Sequence, residues 1–496
     1  MSTIEQVITK NAVNIYAKSG SGESLLSRFL RLLCSVRLGV ILLVLLGLAC
    51  LIGMLIMQQN VDGFERYFLQ LTPAQRLVYG KLGLFDIYHA WYFNGLLCLV
   101  SLSIIMASID RFPKTWLFAS KPNLTVPVRW LREQKQSAEL KMEGTSDAIV
   151  GEVSAAMKQA GWRKVVTSEK GGRIFVFGQS GTWNRFGAYA VHVGLLTIFT
   201  GGFLTAQFGA TGQMPLTLGQ STDLMFDTVV DLDKTNQVTK RLPFDVVSTD
   251  LQQKLIKKEG SLSAQNTIDW ITRFNITDET GTHEAMVQMN RPFDYRGYRF
   301  FQASFTPIGR ARNITINVKS ASGETQEITI PRNSSAVLAD GTKINFMEFR
   351  GNFRIGEEEK DEDTSDYKNP AAVLQVTPPD STSQTAYAFG PQMANMPVAG
   401  KPVGGYTFQL TDFEKVADQH ILSVQRDPGS NVVYVGFILL FLTLVAVFFF
   451  SHQRVWAAIE DGADGANNVV FGGNTNRSLN AFDEKFRRFV NSLETK

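Results

Sequence analysis

His192 stands in a stretch with no other strongly ionisable group: from Phe186 to Leu204 the chain carries no Asp, Glu, Lys or Arg. About 19 residues rising about 1.5 Å each just cross a hydrocarbon layer of about 30 Å, so the stretch reads as a transmembrane helix. An imidazole in lipid costs free energy unless its nitrogens find partners, which makes His192 a functional-site candidate. Three kinds of chemistry suit it: a hydrogen bond to a Thr or a backbone carbonyl of a neighbouring helix, ligation of a buried metal or haem iron, or a step in a proton relay. Counted from Arg185 it lies about 10 Å along the axis, about a third of the way through.

The chain has five histidines, so few pairings are open to His192. His89 precedes the second apolar span and is about 20 Å away in depth. His283 lies within a large polar region, and His420, a dozen residues before the last span, reads as a surface residue. His452 closes the last span about 10 Å from the depth of His192, a gap that helix tilt could narrow. None of these pairs is level, so a partner protein is the better source of a second ligand. The three cysteines, Cys34, Cys50 and Cys98, fall in or beside apolar spans and form neither a C-x-x-C site nor a disulfide framework. The acidic run 357–363 has no calcium-loop spacing and reads as a solvated loop.

Four apolar spans position these groups: 38–57, 90–109, 186–204 and 432–450. In the third, Gly187, Ala190, Gly194, Thr197 and Gly201 form a small-residue stripe that lets another helix approach closely. His192, two residues from both Ala190 and Gly194, projects from the opposite side. Residues 1–37 contain a short amphipathic helix (Leu25, Leu26, Phe29, Leu30, Leu32 and Leu33 among Arg28, Arg31 and Arg37) suited to a membrane surface. Those arginines, with Arg111 and Lys114 after the second span, place the N-terminus and the 110–185 loop in the cytoplasm by the positive-inside rule.

The short 58–89 link and the large 205–431 region then fall on the outer side, and the 451–496 tail returns to the cytoplasm. The 110–185 loop predicts a small β-α-β-β unit, with Ile149, Val150, Val153 and Met157 on one helical face and two strands flanking Lys170-Gly171-Gly172. Alternating runs such as Ile314–Val318 and Glu327–Ile330 predict a mainly antiparallel β-domain over 205–431. The tail passes through a Gly/Asn-rich linker to an amphipathic helix bearing Phe482, Phe486, Phe489, Val490 and Leu493, suited to a membrane surface or a partner helix. The expected fold is therefore an integral membrane protein: four transmembrane α-helices, a large extracytoplasmic mainly-β domain and a small α+β cytoplasmic domain. A net charge of +3 and a mean hydropathy of −0.02, with no basic aromatic-interleaved tract, give no support to nucleic-acid binding.

The order of these parts and several motifs resemble the ResB (CcsB) family of cytochrome c biogenesis proteins. The motifs are Ser35-Val36-Arg37-Leu38-Gly39, Asp86-Ile87-Tyr88-His89-Ala90-Trp91-Tyr92-Phe93, Arg111-Phe112-Pro113, Ala190-Val191-His192-Val193-Gly194 and the run Met289 to Ser304. The resemblance implies a bacterial inner-membrane subunit of the system II cytochrome c synthase, working with a ResC (CcsA) subunit to pass haem b through the membrane and attach it to exported apocytochrome c. It further implies that His192 is an axial haem ligand facing a histidine of the partner. The chemistry on the outer face would belong to that partner, so this chain would not be catalytic alone. A structural scaffold for the ResC-type subunit that binds no haem is the alternative. The 289–304 motif reads as a turn between two strands, with Phe300 and Phe301 on opposite faces.

Overall fold

Amphipathic helix α1 (Leu25–Leu33) leads into α2 (Val36–Leu55), whose mean hydropathy reaches 2.9. The short helices α3 (Phe64–Gln70) and α4 (Pro73–Lys81) follow, the second opened by a capping box between Thr72 and Gln75. Helix α5 (Trp91–Ser120) is the longest, and α6 (Val128–Arg132) brings the chain to β1 (Gln136–Glu143). Then come α7 (Ser146–Gln159), the hairpin β2 (Lys164–Lys170) and β3 (Arg173–Ser180), and α8 (Gly187–Phe208) after one 3₁₀ turn. This is a computed structural model, and it describes residues 25–494 apart from 62, 307, 355–364, 380, 394–397 and 461–465. The acidic run 357–363 and the residues before 25 lie outside the described residues.

Fifteen strands occupy the next stretch. They are β4 (Ala210–Thr217), β5 (Ser221–Asp231), β6 (Lys234–Leu255), β7 (Thr267–Asp278), β8 (Gly281–Val287), β9 (Phe293–Tyr295), β10 (Tyr298–Phe305), β11 (Gly309–Ser320), β12 (Thr325–Pro331), β13 (Ser335–Val337), β14 (Lys343–Arg350), β15 (Ala371–Thr377), β16 (Gln384–Phe389), β17 (Tyr406–Ala417) and β18 (Gln419–Arg426). The chain ends with α9 (Ser430–Phe449), β19 (Gln453–Glu460), β20 (Ala466–Thr475) and α10 (Leu479–Glu494). Among the described residues four helices, α2, α5, α8 with its leading turn, and α9, are long and apolar enough to cross a membrane. The molecule is a membrane protein with a large mainly-β region.

Two units divide the chain: residues 1–54, 87–207 and 429–496 form one, and 55–86 with 208–428 the other. Beside its spans, the first unit holds a five-stranded antiparallel sheet ordered β1-β20-β19-β3-β2. The expected β-α-β-β unit is present, its β2–β3 turn made by Gly171 and Gly172 at φ 63° and 68°. It is completed by the tail. Phe482, Phe486, Phe489, Val490 and Leu493 are all buried in one core with Ile149, Val153, Met157, Trp162 and Phe471. The amphipathic tail helix thus faces the sheet of its own domain, not a membrane surface or a separate partner.

The Gly/Asn-rich stretch expected as a linker is in its described part strand β20, paired on both edges. Its glycines are needed for packing: a Cβ on Gly472 would lie 2.8 Å from Leu131, and one on Gly473 2.7 Å from Phe482.

In the second unit an eight-stranded sheet runs β8-β7-β6-β5-β4-β18-β10-β9 and a seven-stranded one β12-β11-β17-β16-β15-β14-β13. Each buries one face in its own apolar core, the first around Phe244, Phe274, Phe300 and Val424, the second around Ile316, Ile344, Leu374 and Leu410. An ionic seam joins them: Arg312 of β11 reaches Asp250 of β6 at 2.8 Å and Glu414 of β17 at 2.9 Å. Burial pushes the Asp250 carboxyl up, but the hydrogen bonds and charges of Arg312 and Arg273 outweigh it and leave the group below the usual carboxylate range.

Segment 58–89, expected as a polar link, carries its own apolar cluster of Phe64, Phe68 and Phe85 against Val230. Gln59 Oε1 accepts the Val230 N–H at 2.9 Å. Phe64 and Phe68, one turn apart on α3, pack edge-on against Phe85 and give this stretch a small core. In the 289–304 motif, Arg296 and Gly297, at φ 47° and 79°, form the two-residue turn of the β9–β10 hairpin. Phe300 is buried and Phe301 partly so.

Candidate functional site

Helix α8 is gripped on two faces by two different kinds of contact. On one, Gly187, Gly194 and Gly201 are buried against α9, where Gly436 within the helix and Gly429 at its N-cap are the complementary small residues. A Cβ on Gly436 would lie 2.7 Å from Ile198 Cγ1 and 3.0 Å from the Gly194 carbonyl, so the two backbones touch. Close approach of this kind replaces the hydrophobic drive that lipid does not supply. The stripe expected to receive a helix receives α9.

The opposite face meets α5. Ser108 Oγ lies 2.8 Å from His192 Nδ1, and about two turns further along α5 Thr115 Oγ1 lies 2.9 Å from the Tyr189 hydroxyl. Phe112 and Trp116 of α5 pack on Tyr189 and Phe186, with ring centroids 5.4 and 5.9 Å apart. These contacts explain why α5 continues through Pro113 instead of stopping there, as the Asp110–Pro113 sequence suggested. A proline inside a helix forfeits one hydrogen bond, and the aromatic contacts of the following turn offset that loss.

The hydrogen-bond chain points to one imidazole tautomer. Ser108 Oγ donates to the Ile104 carbonyl at 2.6 Å. With its one hydrogen there, Oγ accepts from His192 Nδ1–H. That leaves Nε2 with its lone pair free, and among the described residues no donor reaches it. His192 is half-buried, with the edge of Tyr189 against its ring at 6.5 Å. An Nδ1–H held by an oxygen acceptor and an open Nε2 is the arrangement found in metal-ligating histidines. The donor set fits one axial position of a haem iron.

The other four histidines are elsewhere. His452 is buried at the foot of α9, where Nδ1 accepts from Arg185 Nε at 3.0 Å and Nε2 faces Gln179 Oε1 at 3.4 Å. Both its nitrogens are engaged, so helix tilt does not make it a second ligand. Burial, with the nearby charges of Arg185 and Arg454, holds its imidazole down to about 4. His89 is exposed before α5, and the run from Trp91 to Ser108 alone spans about 25 Å.

His420, expected at the surface, is fully buried in the β unit, bonded through Nδ1 to Thr272 Oγ1 at 2.8 Å, because β18 is a central strand of its sheet. His283 sits exposed on strand β8 beside Tyr295. Cys34, Cys50 and Cys98 are free thiols, and among the described residues no group of three or more His, Cys, Asp and Glu could hold a metal ion.

Ser108, the residue that meets the imidazole, is not singled out by the sequence. Its only signal was a hydroxyl in a charge-free span, shared with Ser101 and Ser103. Ser101 bonds the Leu97 carbonyl of its own helix and Ser103 the Leu33 carbonyl at the end of α1, so only Ser108 meets the imidazole.

A family model described as the ResB-like family matches residues 36–400 and 382–487, nearly the whole chain. The chain belongs to the ResB-like family. Its relatives include cytochrome c biogenesis protein Ccs1 of Rhodomonas salina, 24% identical over 93% of this chain and 96% of the relative. Others are the CcsB proteins of Gloeobacter violaceus, 24% identical over 93% and 90% of the two chains, and of Trichormus variabilis, 22% identical over 96% and 94%. This ResB-like chain therefore matches these relatives over more than nine-tenths of its length, and α8 with its histidine lies inside the region the family model matches.

Proposed function

We propose that this ResB-like protein acts in cytochrome c biogenesis as the ResB-type half of a system II cytochrome c synthase, where His192 supplies one axial ligand to haem b held in the membrane. The observation that carries this reading is the engagement of His192 on one side only, with Nδ1 held by Ser108 Oγ at 2.8 Å and Nε2 open. The second ligand comes from a ResC/CcsA-type partner, since His452, the one histidine of this chain near that depth, has both nitrogens engaged. The names of the relatives, cytochrome c biogenesis proteins Ccs1 and CcsB, support the pathway.

Arg28, Arg31, Arg37, Arg111 and Lys114 favour an orientation with both termini and the five-stranded domain in the cytoplasm of a bacterial inner membrane and the β unit in the periplasm. Bound haem would supply the vinyl groups that take up the thiols of an apocytochrome c. This chain's part is to orient the imidazole through Ser108, to hold α8 rigidly against α9, and to offer a β unit on which apocytochrome can be positioned.

The test is the visible spectrum of the detergent-purified complex with its ResC-type partner, native against His192→Gly, with and without imidazole. Haem absorbance that falls on substitution and returns with imidazole supports the ligand role. Unchanged haem in an assembled complex leaves this chain as a scaffold for the partner.

A further inference from the structure

Where α9 leaves its apolar span, a cavity of about 710 Å³ opens between the span and the five-stranded sheet. Its polar wall carries Arg163, Lys164 and Lys485, and its other wall is Trp183, Phe449 and Phe450. The aromatic wall is continuous with the membrane-crossing helices: Phe449 is the last residue of α9, and Trp183 lies in the turn that opens α8, its ring 5.4 Å from that of Phe450. All three aromatics are exposed.

None of the cations has a carboxylate partner among the described residues. Arg163 and Lys164 are exposed, while Lys485 is half-buried, lying over the Trp162 ring at 4.5 Å and donating to Gln453 Oε1 at 2.8 Å. Burial pushes the Lys485 ammonium below the usual lysine range, as expected of a cation lacking an anion. The lining includes no Asp or Glu, so nothing repels a negative charge. It includes no His, Met, Cys or Tyr either, so it offers no axial ligand to an iron.

We propose that this cavity binds the phosphate headgroup of an anionic phospholipid, with the acyl chains running along Phe449, Phe450 and Trp183 into the bilayer. Three cations at membrane-surface depth select an anionic lipid, and they disfavour a zwitterionic headgroup whose own cation would sit beside them. The bound lipid fastens the sheet to the ends of α8 and α9, the helices whose contact holds His192 in place. The site needs no haem, so it can fail without the haem reading failing.

The experiment uses the full chain in nanodiscs of phosphatidylcholine with or without phosphatidylglycerol, followed by native mass spectrometry. The native chain retains phosphatidylglycerol over phosphatidylcholine by about tenfold or more. Arg163→Gln/Lys164→Gln, two exposed substitutions that leave the fold intact by thermal melting, brings the ratio to within about twofold. Adding Lys485→Gln removes the remainder. Equal retention of both lipids by the native chain, or an unchanged ratio in the folded double variant, overturns the proposal. So does complete displacement of the lipid by inorganic phosphate, which would make the cavity a free-phosphate site.

Discussion

Ser108 Oγ lies 2.6 Å from the Ile104 carbonyl and 2.8 Å from His192 Nδ1, so a residue of α5 engages one nitrogen of a histidine on α8 and leaves the other open. The relationship couples the orientation of a side chain to helix packing.

Ser108→Ala removes the oxygen that orients the imidazole. If His192 is the proposed haem ligand, haem affinity of the complex should fall about 10–100-fold while assembly persists. Ser108→Thr, which restores an acceptor, should recover most of it. Haem titration of the three proteins is the measurement, and equal affinity would show that Oγ plays no orienting part.

Gly436→Val places a branched side chain against Ile198 and the Gly194 carbonyl. We expect about 1–3 kcal/mol of destabilisation, seen as a lower thermal midpoint in detergent. Gly202→Ala, where an added Cβ meets nothing within 4 Å, should be close to neutral and serves as the control.

Phe489→Ala empties a site between Trp162, Phe471 and Phe486 in the small sheet domain. A loss of about 3–5 kcal/mol is expected, with amide exchange of β1, β19 and β20 accelerating together. If the tail helix instead served only a membrane surface, the exchange of those strands would not change.

His452 gives a pH dependence with a definite sign. Its folded pKa, about 4, lies below the unfolded value of about 6.5 because burial and the charges of Arg185 and Arg454 disfavour the imidazolium. Between those values the unfolded chain binds the extra proton. Stability is therefore intact above about pH 6.5 and is lost as pH falls toward 4, by up to about 3 kcal/mol. His452→Gln should flatten this slope in denaturant melts collected from pH 4 to 7. His420, whose pKa burial also lowers to about 4, contributes a slope of the same sign.

The sequence by itself determined the four apolar helices, the mainly-β region, the small-residue stripe and the isolation of His192 on the other face of α8, because each is a local pattern of composition or period. Tertiary structure decided what those patterns meet. That Gly436 of α9 and Gly429 at its N-cap fill the stripe, that Ser108 stands 84 residues from the imidazole it orients, and that His452 is already bound to Arg185 are matters of three-dimensional register. The tail shows the same limit: its amphipathic helix and Gly/Asn-rich stretch look like a surface anchor and a linker when read locally. Their partners, β1, β3 and α7, lie roughly 300 residues earlier beyond two spans and a β unit, and only folding brings the two halves of that domain together.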